Sequence, residues 1–135
     1  MNILFVCRYN RFRSRVAEAV FKKLNKNPGI KVRSVGVILG SYPLDKGEVE
    51  EAKKFGISIE GKPQALSEEI LDWYDTAIIV ADDVPADLLN KDKDTKQKVE
   101  VWKISDEKMG NNEQIKKIIK KIENKVKIFV KEVSR

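Results

Sequence analysis

The chain has 135 residues, a net charge of +6 and a composition 41% hydrophobic and 36% charged, too apolar for a disordered polymer and the right size for one hydrophobic core. A single cysteine excludes an internal disulfide, and the absence of histidine excludes a Cys/His zinc site and any mechanism needing an imidazole base. No apolar run reaches the roughly 20 residues that cross a bilayer, and MNILFVCRYN lacks the features of a signal peptide, so a cytoplasmic protein with no membrane partner is expected.

In chain order, NILFVC is a short continuous apolar run that predicts a strand buried on both faces, broken off at the polar CRYNRFRS. From Ser14, a suitable N-cap, Val16, Ala17, Val20, Phe21 and Leu24 recur at helical spacing. IKVRSVGV predicts a second strand before the turn-rich GSYPLDKG, and GEVEEAKKF, closed by Gly56, predicts a helix. SEEILDWY, with acids in its first turn after Ser67, predicts a short helix, and DTAIIVA a third buried strand. VPADLL predicts a turn of helix, NKDKDTKQK a solvated loop and VEVWKI a fourth strand. Ile115, Ile118, Ile119, Ile122, Val126, Phe129, Val130 and Val133 fall on one face of a long final helix, with lysines opposite. Strands alternating with helices predict an α/β fold: a single domain over residues 1–135 with a four-stranded parallel sheet and helices on both faces. Trp73 and Trp102 sit on apolar faces and are expected in the core.

In such a sheet, ligands bind beyond the carboxyl ends of the strands. Cys7 ends the first strand, and the loop after it leads backbone N–H groups into the N-terminus of the next helix, an arrangement that binds anions. Although lysine outnumbers arginine 21 to 6, four of the six arginines, Arg8, Arg11, Arg13 and Arg15, crowd this loop. Their field favours the thiolate form in which cysteine is a nucleophile, and Arg13 offers a planar fork matched to two phosphoryl oxygens. The spacing points to phosphoryl transfer through a phosphocysteine. A departing alkoxide or phenoxide then needs a general acid: Asp106, after the fourth strand, is the first candidate, and Asp82 and Asp83, after the third, compete with it. Arg8, Arg11 and Arg15 are read equally as solvated cations or as an attraction for acidic substrates.

FVCRYNRFRSRVAEAVF resembles the phosphate-binding loop of the low-molecular-weight protein tyrosine phosphatases, whose pattern is Cys, five residues, Arg and then Ser or Thr. RSVGV, KKFGISIEGKPQALSEEILDWYDTAIIVAD and WKISDE follow in the family's order. The resemblance implies Cys7 as nucleophile, Arg13 as phosphate clamp, Asp106 as general acid and then base, Ser14 as hydrogen-bond donor to the thiolate and Asn10 as the residue that shapes the loop. The remaining loop residues, Arg8, Tyr9, Arg11 and Phe12, are then substrate-binding, their amides around the equatorial oxygens. It implies a hydrolase acting on phosphotyrosine in proteins or on small phosphomonoesters, with phosphate or other oxyanions as loop ligands. No cofactor or metal is expected, since Arg13 and the loop amides supply the charge stabilisation.

The chain departs from the family pattern at Tyr9, where glycine is common, at Phe12, where many members carry a second cysteine, and at Glu107, where proline is usual. SDEKMG also lacks the tyrosines that wall the phosphotyrosine cleft, which leaves Tyr42 or Tyr9 as the expected aromatic face. Three other functions compete. An arsenate reductase on this scaffold is the nearest alternative enzyme, and its thioredoxin-coupled version, which relays electrons through further cysteines, is excluded because this chain lacks them. A phosphocysteine carrier has no use for a loop acid suited to hydrolysis. A nucleic-acid module would need stacking aromatics interleaved with a basic stripe, and none is present.

Overall fold

A strand covered on both faces must be apolar throughout, and Ile3, Leu4, Phe5 and Val6 of β1 (Asn2–Cys7) are fully buried. The computed structural model describes residues 1–38, 44–89, 96–106 and 111–134. In it β1 pairs in parallel with β2 (Lys31–Gly36) on one side and with β3 (Thr76–Val80) on the other, and β4 (Lys98–Trp102) adds in parallel to β3. The sheet order is β2-β1-β3-β4. The chain winds from β1 to one edge, then crosses back to β3, so the crevice of this α/β sheet opens beyond the ends of β1 and β3. Cys7 ends β1 opposite Gly36, and Asp82 and Asp83 closely follow β3.

Alternation along β1 feeds two cores. Ile3 and Phe5 face a cluster built with α1 (Arg13–Leu24), α2 (Lys46–Lys54) and α4 (Asn112–Val133), while Leu4, Val6 and Cys7 face a smaller one that includes Ile70 of α3 (Glu68–Trp73). The first core centres on Phe5, Phe21, Trp102 and Phe129, whose rings pack with centroids 5.9 to 6.4 Å apart, mostly tilted or edge-on as aromatic quadrupoles prefer. The helix ends follow their local chemistry. Asp45 accepts from the Glu48 amide at 2.9 Å, Ser67 from the Ile70 amide at 3.3 Å, and Asn111 from the amides of Glu113 and Gln114. Gly56, just beyond α2, takes φ +75°.

Two expectations are corrected. Ser14 does not cap α1: the cap position falls two residues earlier, at Phe12, with no side-chain cap bond, and the Ser14 hydroxyl is turned to the Cys7 sulfur. Trp73 is only partly buried, lying under the Arg33 guanidinium at 5.2 Å, whereas Trp102 is in the core. Of the expected solvated loop, residues 90–95 lie outside those described, and Gln97 is tied down by donating to the carbonyls of Leu71 and Tyr74. Among the described residues, no helix is long and apolar enough to cross a membrane.

One glycine controls how closely the strand-1 loop lies on β2. A Cβ at Gly36 would come within 2.5 Å of the Tyr9 carbonyl carbon and 2.6 Å of the Asn10 nitrogen, both backbone atoms with no room to yield. Gly36→Ala is therefore expected to lower unfolding stability by about 1–3 kcal/mol in a urea titration. An unchanged midpoint would show that the loop can lift away without cost.

Candidate active site

The loop from Cys7 to Arg13 turns at Asn10, whose φ of +55° makes it the one non-glycine residue in the left-handed region among those described. Asparagine tolerates that region better than most side chains, and Tyr9 is not required to enter it. The turn also aims the Asn10 amide at the Cys7 sulfur, to which it donates at 3.3 Å.

The Asn10 side chain sets the direction of the hydrogen bonds around it. Its Oδ1 accepts from the Gln64 amide at 2.8 Å, which leaves Nδ2 to donate to Ser14 Oγ at 2.7 Å and to Ser34 Oγ at 3.0 Å. Ser34 in turn donates to Glu18 Oε1 at 2.6 Å, as it must, since a carboxylate only accepts. Ser14 Oγ lies 3.0 Å from Cys7 Sγ, and because it already accepts from Asn10 its own proton is available to the sulfur. The chain running from Glu18 through Ser34, Asn10 and Ser14 thus delivers a donor to a thiol that is 2% exposed. The Asn10 amide and the Ser14 hydroxyl thus converge on the sulfur.

Arg13 is 2% exposed and reaches across the sheet ends. Its Nη1 donates to the Ile104 carbonyl at 2.9 Å and its Nη2 to Asp83 Oδ1 at 3.1 Å, with Asp82 at 3.8 Å and Asp106 at 3.9 Å completing an acidic ring. Asp83 also lies 3.8 Å from Arg8, and Asp82 accepts from Ser105 at 2.6 Å. A small pocket opens above the sulfur, lined by Cys7, Tyr9, Arg11, Phe12, Arg13, Glu48 and Asp106. The Tyr9 ring is flanked by the guanidiniums of Arg8 at 5.1 Å and Arg11 at 4.9 Å.

Of the residues expected at the site, Cys7, Tyr9, Arg11, Phe12, Arg13 and Asp106 share this pocket, and Asn10 and Ser14 form its support. Arg8 pairs with Asp83 at its rim. Tyr42 and Glu107 lie outside the described residues. One residue was missed. Glu48, 7% exposed in α2, lines the pocket, although in sequence it reads only as an acid suited to a helix N-terminus. What the sequence did not show of Arg15, read equally as a solvated cation or as an attraction for acidic substrates, is that it is 8% exposed and makes two backbone hydrogen bonds, which corrects the first of those readings.

The fold recurs in solved structures. The low molecular weight protein tyrosine phosphatase from T. tengcongensis superposes with a TM-score of 0.82 at 24% identity, covering 98% of this chain and 99% of that one. The YwlE arginine phosphatase from Geobacillus stearothermophilus gives 0.83 at 20% identity over 98% and 92% of the two chains. An arsenate reductase from Archaeoglobus fulgidus DSM 4304 gives 0.75 at 26% identity over 95% and 98%. No curated protein matches the chain. The family model described as low molecular weight phosphotyrosine protein phosphatase matches residues 2–135, and the chain belongs to that family.

Proposed function

We propose that this chain, as one domain, is a protein tyrosine phosphatase that hydrolyses phosphotyrosine and small aryl phosphates through a phosphocysteine intermediate. The observation that carries the reading is the Cys7 sulfur, served by Asn10 and Ser14 on the floor of a pocket walled by Arg13 and Asp106. In the first step the Cys7 thiolate attacks phosphorus in line, an S–P bond forms and the P–O bond to the leaving group breaks. Asp106 gives its proton to the departing oxygen. Arg13 and the loop amides hold the equatorial oxygens, so no metal is called for. In the second step Asp106 takes a proton from water, the oxygen attacks phosphorus, and the S–P bond breaks to give inorganic phosphate. Ser14 stabilises the thiolate as it leaves.

Asp106 is favoured over its two competitors because it lines the pocket, whereas Asp82 and Asp83 do not. Those two flank the Arg13 guanidinium and are suited to orienting it. Tyr9, in the lining of the pocket, offers an aromatic wall to a phosphoaryl substrate. A thioredoxin-coupled arsenate reductase role is disfavoured, since the chain holds no second thiol to relay electrons.

A second reading rests on Glu48. With Asp106 it places two carboxyl groups in the lining of the pocket, a setting suited to the N–H groups of a phosphorylated guanidinium. The likeness to an arginine phosphatase agrees with it.

Cys7→Ser is expected to reduce hydrolysis of para-nitrophenyl phosphate, without added metal, by at least about 1,000-fold. A retained rate would end the phosphocysteine mechanism. Asp106→Asn is expected to lose roughly 100- to 10,000-fold on a phosphotyrosine peptide, and less on para-nitrophenyl phosphate, whose leaving group needs little protonation. The basic limb of its pH–rate profile should vanish, and an unaltered profile would give the acid role to another residue. Against matched peptides the wild type is expected to prefer phosphotyrosine to phosphoarginine. The opposite preference, falling by about tenfold in Glu48→Gln, would install the second reading.

A further inference from the structure

The side of the loop facing away from the pocket is held by a residue with no place in the mechanism above. Arg15 projects from the first turn of α1 into a groove formed with Glu18, Ala19, Lys22, Ser58, Ile59 and Glu60. Its Nε donates to the Asn10 carbonyl at 2.8 Å, and its Nη1 donates to the Glu60 carbonyl at 2.6 Å. One guanidinium therefore ties the turning residue of the loop to the segment that precedes α3. That segment is itself pinned to the loop and to β2: the Gln64 amide donates to Asn10 Oδ1 at 2.8 Å, and its carbonyl accepts from the Gly36 amide at 2.8 Å. Burial pushes the Arg15 guanidinium down from its ordinary value, while Glu18 and Cys7 act in the opposite direction and favour the cation.

The bond to the Asn10 carbonyl has a geometric consequence. In a planar trans peptide the C=O and the following N–H point in opposite directions. Fixing the Asn10 carbonyl toward Arg15 therefore fixes the Arg11 N–H toward the opposite side of the loop, away from the groove. Arg11 lines the pocket over the sulfur, and Arg15 does not. A left-handed residue flanked by a mobile peptide can relax by rotating that peptide, which would turn a carbonyl dipole toward the anion in place of an N–H. The Arg15 guanidinium opposes this rotation.

We propose that Arg15 is a positioning residue for the proposed phosphatase: by holding the Asn10 carbonyl from behind, it keeps the Arg11 amide directed into the oxyanion cradle. The inference rests on the phosphatase reading, because it assumes that the loop binds a phosphoryl group. It assigns Arg15 a task unlike that of Arg13. Arg13 meets the anion from the pocket side, whereas Arg15 acts only through the backbone.

The test uses the full chain with Arg15→Met, which keeps an unbranched apolar stem and removes every donor, and Arg15→Lys, which keeps one cationic donor. Three quantities are read: the dissociation constant for inorganic phosphate by calorimetry, kcat and KM for para-nitrophenyl phosphate, and the thermal midpoint. Arg15→Met is expected to weaken phosphate binding about 10-fold and to lower kcat/KM by about 10- to 100-fold, with both KM and kcat affected. Arg15→Lys should recover part of each loss, since an ammonium can satisfy one of the two carbonyls. Should Arg15→Met not fold, Arg15→Lys carries the test alone, with phosphate binding expected to be about 3-fold weaker than in wild type. A folded variant that binds phosphate and turns over substrate within twofold of wild type would overturn the role of Arg15 while leaving the phosphatase intact. A lowered midpoint with unchanged phosphate affinity would overturn it as well, reducing Arg15 to a packing residue. Wild-type protein that binds no phosphate would remove the phosphatase reading, and this inference with it.

Discussion

The left-handed turn at Asn10 is the constraint around which the site is organised. A chain leaving a buried strand and entering a helix within a few residues has to reverse its backbone sharply, and here that reversal falls on a side chain that can also hydrogen-bond in three directions. The amide of the same residue meets the sulfur, its carboxamide orients Ser14, and its carbonyl is caught by Arg15. Glycine would allow the same φ but carry none of the side-chain bonds. Aspartate would accept from Gln64 and could donate to neither serine. Backbone geometry and hydrogen-bond direction thus select the same residue.

Around this turn the electrostatics are local and opposed in sign. The chain is basic as a whole, yet the ends of β3 and β4 present Asp82, Asp83 and Asp106 to Arg13. A guanidinium that is 2% exposed would be costly without such partners, because burial of an unpaired charge far outweighs the gain from any one hydrogen bond. The carboxylates offset that cost and hold the fork in a defined plane. Tyr9, between the guanidiniums of Arg8 and Arg11, organises the outer cations in a different way, through its ring face.

Much of this was legible in the sequence, and the boundary is physical. The strands read correctly because inner strands must be apolar throughout, as β1 and β3 are, and α4 because its isoleucines recur at helical spacing. The spacing of Cys7, Arg13 and Ser14 was visible because the loop is local in the chain. Glu48 and Arg15 were hidden for one reason. Each is a charged residue in the first turns of a helix, where an ordinary surface role is available, and burial came from segments distant in sequence. Ser14 looked like a cap for the same reason: its competing partner, the Cys7 sulfur, lies seven residues away across a turn whose geometry no periodicity records.

The bond from Arg13 to the Ile104 carbonyl spans 91 residues of sequence. The turn of the loop is held by Ser34 of β2 and by Gln64 before α3, and the direction of its arginine by Asp83 after β3 and Ile104 after β4. The hydrogen bonds that orient Arg13 span 70 and 91 residues, against 24 and 54 for those that tie the Asn10 side chain to β2 and to the segment before α3. The direction of Arg13 is in this sense a property of the closed sheet, although the motif that carries it occupies a few consecutive residues near the start of the chain.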